Sequence, residues 1–458
     1  MKTKHTFQIT CLFCALAVPA FTSGAQTVTR IAAGSGHTLF VKSDGSLWAM
    51  GDNSSGQLGI GSADIYNTNL PEQVVGGNVT EIAAGDSFSL FLKSDGSLWA
   101  MGYNGDGELG DGTYDPTNQP EQIVASEVTA VTAGSYHSLF LKSDGSLWTM
   151  GNNADGQLGD GTTDNGFYNT NWPERIVASN VTAIAGGSYF SLFLKSNGSL
   201  WAMGDNYFGQ LGDGSYTQTN APKLIVASNV TAIAAGNFHS LFLKSDGSLW
   251  VMGDNELGQL GDGATDNGFY NTNLPEQIVA SNVTAIAAGA YHSLFLKSDG
   301  SLWAMGDNSL GQLGDGTHDQ ANLPKQIVPG NVAAITAGGN NSQFLKSDGS
   351  LWVMGDNGSG QLGIGTYDST NVPIQIVAGA LVPPGYNLIS IDLLSDGNIR
   401  LSFVGLSSVN YALDRSFTLS PAAWIPQATN AAGTDGALVM TNAPGPTTAN
   451  FWRFRSVP

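Results

Sequence analysis

Cysteine is almost missing from this chain: 458 residues hold 2, Cys11 and Cys14, both near the N-terminus. Beyond them no disulfide, cysteine nucleophile or thiolate metal site can be built. Charge is scarce as well. Charged residues are 12% of the chain, and 17 Lys and Arg face 37 Asp and Glu, for a net charge of −20. Nucleic acid needs a basic stripe to neutralise its phosphates, so it is excluded as a partner. After the N-terminal segment no apolar run approaches the roughly 18 residues that cross a bilayer as a helix. No membrane span is expected. With so few charges, the surface must be covered largely by Gly, Ser, Thr and Asn.

The N-terminal segment has the grammar of a secretory signal. Lys2 and Lys4 precede an apolar run from Ile9 to Phe21, and Ser23-Gly24-Ala25 offers a small-residue cleavage site before Gln26. Residues 1–25 are therefore expected to be removed, taking both cysteines with them. The product is expected to be secreted, periplasmic or on the cell surface.

What is abundant is repetition. "KSDGSLWAMG" at Lys42 to Gly51 returns six more times with small changes, its tryptophan at Trp48, Trp99, Trp148, Trp201, Trp250, Trp303 and Trp352. A period near 50 residues with strand-like content points to propeller blades or a β-solenoid. The stretch 128–177 parses into four short strands: "VTAVTAG", "SLFLKS", "SLWTMG" after the tight turn Asp144-Gly145, and "PERIV" after a long Asn/Asp/Gly loop. The third strand carries Leu147, Trp148 and Met150, apolar on both faces, as suits a sheet packed between neighbours. The first strand is rich in small and β-branched residues, as suits a crowded axis. A linear solenoid would want distinct capping repeats, and none is visible. Seven sets from 28 to 377 predict an all-β chain: a seven-bladed β-propeller over 26–380. After the linker Pro383-Pro384-Gly385, the runs "NLISIDLL", "IRLSFVG", "NYALDR", "ALVM" and "FWRFRSV" predict a small β-sandwich-like module over 381–458.

The stretch "GSYHSLFLKSDGSLWTMGNNADGQLGDG" from Gly134 to Gly161 resembles the regulator of chromosome condensation repeat, with its G-x-x-H-S, D-G, G-x-N and G-Q-L-G pieces. The resemblance covers about 350 residues and implies a seven-bladed propeller. It departs from the family pattern in having Met (Met50, Met101, Met150) just before the strand-ending Gly, where Trp is usual; packing, not architecture, is expected to change. In kind the chain is similar to a secreted bacterial β-lactamase inhibitor built from the same repeat, which binds its target through loop aromatics on one propeller face. Its inhibitor role is not implied.

Four antiparallel strands put the 1–2 turn and the 3–4 loop at one end of the ring, opposite the uniform KSDG turns and ASN links. Variation gathers at that first end. Two residues after the Gly ending the first strand stand Gly36, Ser87, Tyr136, Tyr189, Phe238, Tyr291 and Asn340. Four aromatics thus occupy four consecutive blades. The 3–4 loops add Tyr66, Phe167 with Tyr168, Tyr207 with Phe208, and Phe269 with Tyr270. Exposed aromatics on polar loops mark recognition surfaces, so Tyr136, Tyr189, Phe238, Tyr291, Phe167, Tyr168, Tyr207, Phe208, Phe269 and Tyr270 are the candidate ligand-binding residues. The alternative is that they fold back onto their own blades.

No catalytic residue, metal site or cofactor is expected. The next slot reads His37, Phe88, His137, Phe190, His239, His292 and Asn341; a catalytic or metal role would not survive Phe, so these histidines are expected to bond loop backbone. Asp111, Asp160, Asp213, Asp262 and Asp315 share one loop slot and could bind calcium, but turn-stabilising Asx bonds are the simpler reading. Two G-x-G-x-x-G matches, Gly105 to Gly110 and Gly358 to Gly363, open no helix and support no dinucleotide site. The N-V-T sequons at Asn78, Asn180, Asn229 and Asn282 read as repeat grammar. The expectation is a monomeric, non-enzymatic binding propeller for a protein or glycan. Guanine-nucleotide exchange, implied by the family's eukaryotic namesake, and a polysaccharide-acting enzyme using the same face are the alternatives.

Overall fold

In this computed structural model the described residues are 26–61, 67–163, 170–264 and 272–379, with the backbone of six strands between 387 and 457. In blade 1, β1 (Val28–Ala33) pairs antiparallel with β2 (His37–Lys42). β2 pairs with β3 (Leu47–Gly51), and β4 (Thr68–Val75) forms the outer edge. The same order recurs over 79–124, 128–177, 181–226, 230–279, 283–328 and 332–377, which makes seven blades. Each blade is one contiguous stretch, so the ring closes without a strand shared between blades 1 and 7.

Closure comes from packing. The second and third strands are buried on both faces, and their apolar side chains form cores between blades rather than within them. Leu345, Leu351 and Leu362 of blade 7 cluster with Val28, Phe40 and Met50 of blade 1. Leu39, Val41 and Leu47 of blade 1 do the same with Phe91 and Met101 of blade 2, and Trp99 packs against that cluster. The methionines that depart from the family pattern explain the last Gly of G-Q-L-G. A Cβ on Gly59 would stand 2.2 Å from Met101 Sδ, and one on Gly363 would stand 2.2 Å from Met50 Sδ. Each sulfur seats on bare backbone of the preceding blade, which no side chain would allow.

The repeated phrase is a closed set of bonds. Asp44 Oδ1 accepts from the backbone N and Oγ of Ser46 at 3.0 and 2.6 Å, and Ser46 Oγ accepts from Trp48 Nε1 at 2.9 Å. Trp48 stacks on Phe40 with centroids 6.3 Å apart, and Lys42 Nζ lies 3.6 Å from a Trp48 ring centroid. The stack and its lysine recur in every blade. The links have an equally local cause. Asn78, Asn180, Asn229, Asn282 and Asn331 all have φ between 66 and 68°, a left-handed geometry that Asn tolerates and most residues resist. Glu127 holds the same place with φ 71°. Four of the five asparagines are those of the sequons, so a turn requirement accounts for them.

Residues Ala25–Ala380 form one compact unit. In the tail the described strands make two three-stranded antiparallel sheets. One contains Asn387–Leu393, Ile399–Val404 and Ala437–Asn442; the other contains Ile425–Ala431, Asn410–Ser416 and Phe451–Val457. Among the described residues there is no helix long and apolar enough to cross a membrane.

Candidate functional site

At one end of the ring, here the loop end, each 1–2 turn is pinned to the start of its blade's 3–4 loop by backbone alone. Tyr136 O accepts from Asn152 N at 2.9 Å, Tyr189 O from Asp205 N at 2.8 Å, and Phe238 O from Asp254 N at 2.9 Å. The side chains stand on a fixed base and meet their neighbours. Tyr136 and Tyr189 stack with centroids 5.3 Å apart and planes at 27°. Phe238 lies 6.2 Å from Tyr291 and 4.9 Å from Phe208, which meets Tyr207 edge-on at 5.1 Å. Six of the ten aromatic residues singled out in the sequence therefore share one end, as a tyrosine pair and a four-ring chain. Tyr136, Tyr189, Phe208, Phe238 and Tyr291 are half-buried, while Tyr207 is 74% exposed. Phe167, Tyr168, Phe269 and Tyr270, like Tyr66, lie outside the described residues.

Beneath the rings each 3–4 loop is wired internally. In blade 1, Gln57 Nε2 donates to Asp52 Oδ2 at 2.9 Å, Gln57 Oε1 accepts from Ser55 N at 2.9 Å, and Asn53 Oδ1 accepts from Leu58 N at 3.1 Å. Blade 2 breaks this pattern twice. Tyr103 stands where the other blades have Asp or Asn, and Glu108 stands where they have Gln. Glu108 Oε2 accepts from Asp106 N at 2.9 Å, but the fully buried Oε1 has no partner. Burial pushes this carboxyl up to about 8. The Tyr103 hydroxyl folds back over its own loop, 2.2 Å from where a Cβ on Gly105 would stand. Glu108 and Asp106 act electrostatically on both Tyr103 and Tyr136. Burial, then Tyr136 and Asp155, push the Tyr189 hydroxyl up to about 12. Tyr103 and Glu108 were not among the sequence candidates. Their signal was two simultaneous breaks in the repeat, five residues apart, one inside the G-x-G-x-x-G match of Gly105 to Gly110 and one two residues before it.

The histidines do not bond loop backbone through the ring; they cross to the next blade. Nε2 of His37, His137, His239 and His292 lies 2.9, 2.8, 2.9 and 2.8 Å from Oγ of Ser89, Ser191, Ser293 and Ser342. Each of those hydroxyls already donates its one hydrogen to a backbone carbonyl: Ser89 to Gln57, Ser191 to Gln157, Ser293 to Gln259 and Ser342 to Gln312. The serine must therefore accept, so the ring carries its proton on Nε2. Nδ1 is left buried and without a partner in all four. Burial lowers His37 and His292 to about 4 and His137 and His239 to about 3. These are neutral rings that bond blade to blade.

The shared loop aspartates serve their turns. Asp111 Oδ1 accepts from Thr113 N at 2.8 Å and from Asn104 Nδ2 at 3.1 Å, and Asp160 repeats the arrangement with Thr162 and Asn153. Among the described residues no group of three or more His, Cys, Asp or Glu gathers as a metal site would.

Comparison with known proteins places this geometry. A model of the RCC1-like domain matches residues 10–277, and models of the regulator of chromosome condensation (RCC1) repeat match 283–312, 332–361, 299–345 and 348–382. The human E3 ubiquitin-protein ligase HERC2 is 34% identical over 102 residues, 21% of this chain and 2% of that one. The RCC2 homolog of Xenopus laevis is 35% identical over 95 residues, 19% of this chain and 18% of that one. The secretion-regulating guanine nucleotide exchange factor of Bos taurus is 34% identical over 85 residues, 18% of each. The matched stretch is thus at most 18% of these curated relatives' length. Among solved structures, human WBSCR16 is 25% identical with a TM-score of 0.65, covering 76% of this chain and 96% of that one. Prp20p of Saccharomyces cerevisiae shares the fold at 21% identity and a TM-score of 0.65, over 80% of this chain and 90% of that one. With more than half its length matched by one family model and its later blades by that family's repeat, the chain belongs to the RCC1-like domain family.

Proposed function

We propose that the protein is an exported, non-enzymatic binding propeller that recognises a protein or glycan through the aromatic rings of its loop end. Membership in the family supports a binding or regulatory role. The observation that carries the reading is the arc itself: one slot in four consecutive blades holds Tyr136, Tyr189, Phe238 and Tyr291, on one side of the ring, half-buried and in ring contact. Rings held this way lose little conformational freedom on contact and offer large amphipathic area. Export is supported by the character of residues 1–25.

The test replaces all four rings with Ala and compares capture of partners from the medium of the source culture. Capture should be lost. Because the rings are half-exposed and none belongs to a core between blades, the melting temperature should fall by only a few degrees. Retained capture, or a collapse in stability that marks the rings as core, refutes the reading.

A further inference from the structure

The loop end combines aromatic faces with carboxylates and, among the described residues, almost no positive charge. Lys42 and its six equivalents sit at the opposite end, each over its own tryptophan. Lys223 and Lys325, on the outer strands, reach the loops only to bind Asp213 and Asp315. Around Tyr136 and Tyr189, by contrast, Asp86, Asp106, Glu108 and Asp155 all act on the tyrosine hydroxyls. An acidic cluster alone would say little. Glu108 adds an independent observation: its Oε1 is fully buried, lacks any donor, and belongs to the one blade where the usual Asp–Gln bond is replaced by Tyr103 and Glu108. A buried carboxylate oxygen without a donor is costly. A guanidinium or ammonium brought under Tyr103 would supply that donor.

We infer that the partner is a protein that presents an arginine or lysine from an exposed segment to the patch formed by Tyr103, Tyr136 and Tyr189, with Glu108, which releases its proton to solvent as the cation enters, as the carboxylate that receives it. This rests on the reading of the arc as a docking surface and names the chemistry of what docks. The cation lies against tyrosine faces, which attract it through their negative π-clouds, and the surrounding carboxylates hold it by charge. Arginine fits better than lysine, because its planar fork can stack on a ring and donate to two oxygens at once. Tyr103, 39% exposed, is the ring that lifts to admit it. The apolar remainder of the arc, Phe208, Phe238 and Tyr291, lies next along the rim and suits apolar residues beside that cation.

The experiment uses the chain from Gln26 onward and two rhodamine-labelled peptides, Ac-Gly-Arg-Gly-Arg-Gly-amide and the same peptide with citrulline for arginine, which keeps shape and removes charge. Fluorescence anisotropy at low salt should give at least a tenfold lower Kd for the arginine peptide. Tyr136→Leu with Tyr189→Leu should reduce that ratio below twofold. Tyr136→Phe, which keeps the ring, should preserve it. Glu108→Gln, which installs the residue found in the other six blades, should lower the ratio at least threefold without unfolding the ring. Equal Kd values for the two peptides overturn the inference while leaving the docking reading to the four-ring test. Discrimination that survives the double leucine variant also overturns it, since the attraction would then come from the chain's general negative charge. Recovery of a neutral glycan as the partner does so too.

Discussion

The four cross-blade histidines set an acid limit on the ring, and His239 allows the limit to be measured at one position. Its Nδ1 is buried without a partner, so protonation there would put an N–H where nothing accepts it. The folded ring stays neutral down to about 3, whereas the unfolded chain takes a proton near 6.5. The folded value is the lower one, so the unfolded state binds more protons in that window. Stability is fully present above 6.5 and lost as pH falls towards 3. At pH 5 the unfolded histidine has gained roughly 2 kcal/mol from its proton and the folded one almost none. Four such rings sum to about 8 kcal/mol, a large share of a typical domain's stability. His239→Phe isolates one term, because Phe88 and Phe190 already occupy this slot in blades 2 and 4. Urea unfolding followed by tryptophan fluorescence at pH 8, 7, 6 and 5 gives the difference between variant and parent. The variant loses the bond to Ser293 at every pH, but the offset should shift by about 2 kcal/mol in its favour between pH 8 and 5. A flat offset would mean that His239 titrates alike in both states, and the argument from the serine hydrogens would be wrong.

Two further substitutions test neighbouring claims. Glu108→Gln should behave in the opposite sense to the histidine variant: the carboxyl's folded value, about 8, lies above its unfolded one, so the parent loses stability as pH rises from 4.5 to 8, and the variant should gain on it by about 4 kcal/mol over that range; parallel curves would mean a solvated carboxylate. Glu127→Asn should stabilise the ring by about 1 kcal/mol, since Glu127 holds a left-handed φ of 71° that Asn adopts in five other links; a neutral or lower urea midpoint would show that the backbone there carries no penalty.

The blades were legible because their wiring is local. Asp44, Ser46, Trp48 and Lys42 lie within seven residues of one another, so a reader of one repeat holds every atom of the hairpin. The shared end of Tyr136, Tyr189, Phe238 and Tyr291 followed from strand parity alone. The histidine bonds were not legible, because donor and acceptor lie 50 to 54 residues apart and the serines look like ordinary strand residues. Tyr103 and Glu108 were missed because each alone reads as a tolerated exception. Only the geometry shows that the Asp and Gln they replace bond each other elsewhere. The seam between blades 7 and 1 was hidden in the same way. There Asn341 replaces the histidine, Thr38 replaces the serine, and the buried Gln343, in a slot that is leucine in the other blades, bonds Thr38.

Why one end should vary and the other not follows from which atoms hold the turns. At the hairpin end the side chains are the scaffold: Asp holds Ser, Ser holds Trp, and Trp carries Lys. The one exchange there, Asn197 for Asp, keeps the same acceptor for Ser199, so the end is chemically spent. At the loop end the 1–2 turn is held through main-chain oxygens. Gly36 O accepts from Asp52 N at 2.8 Å, Ser87 O from Tyr103 N at 2.9 Å and Asn340 O from Asp356 N at 2.8 Å, as Tyr136 O does from Asn152 N. Those bonds form whatever side chain stands there, whether Gly, Ser, Asn, Tyr or Phe. A substitution in this slot changes what the ring displays with little effect on whether it folds. Seven such positions around one axis make a surface that can be rewritten residue by residue, and in this chain four neighbouring ones are aromatic.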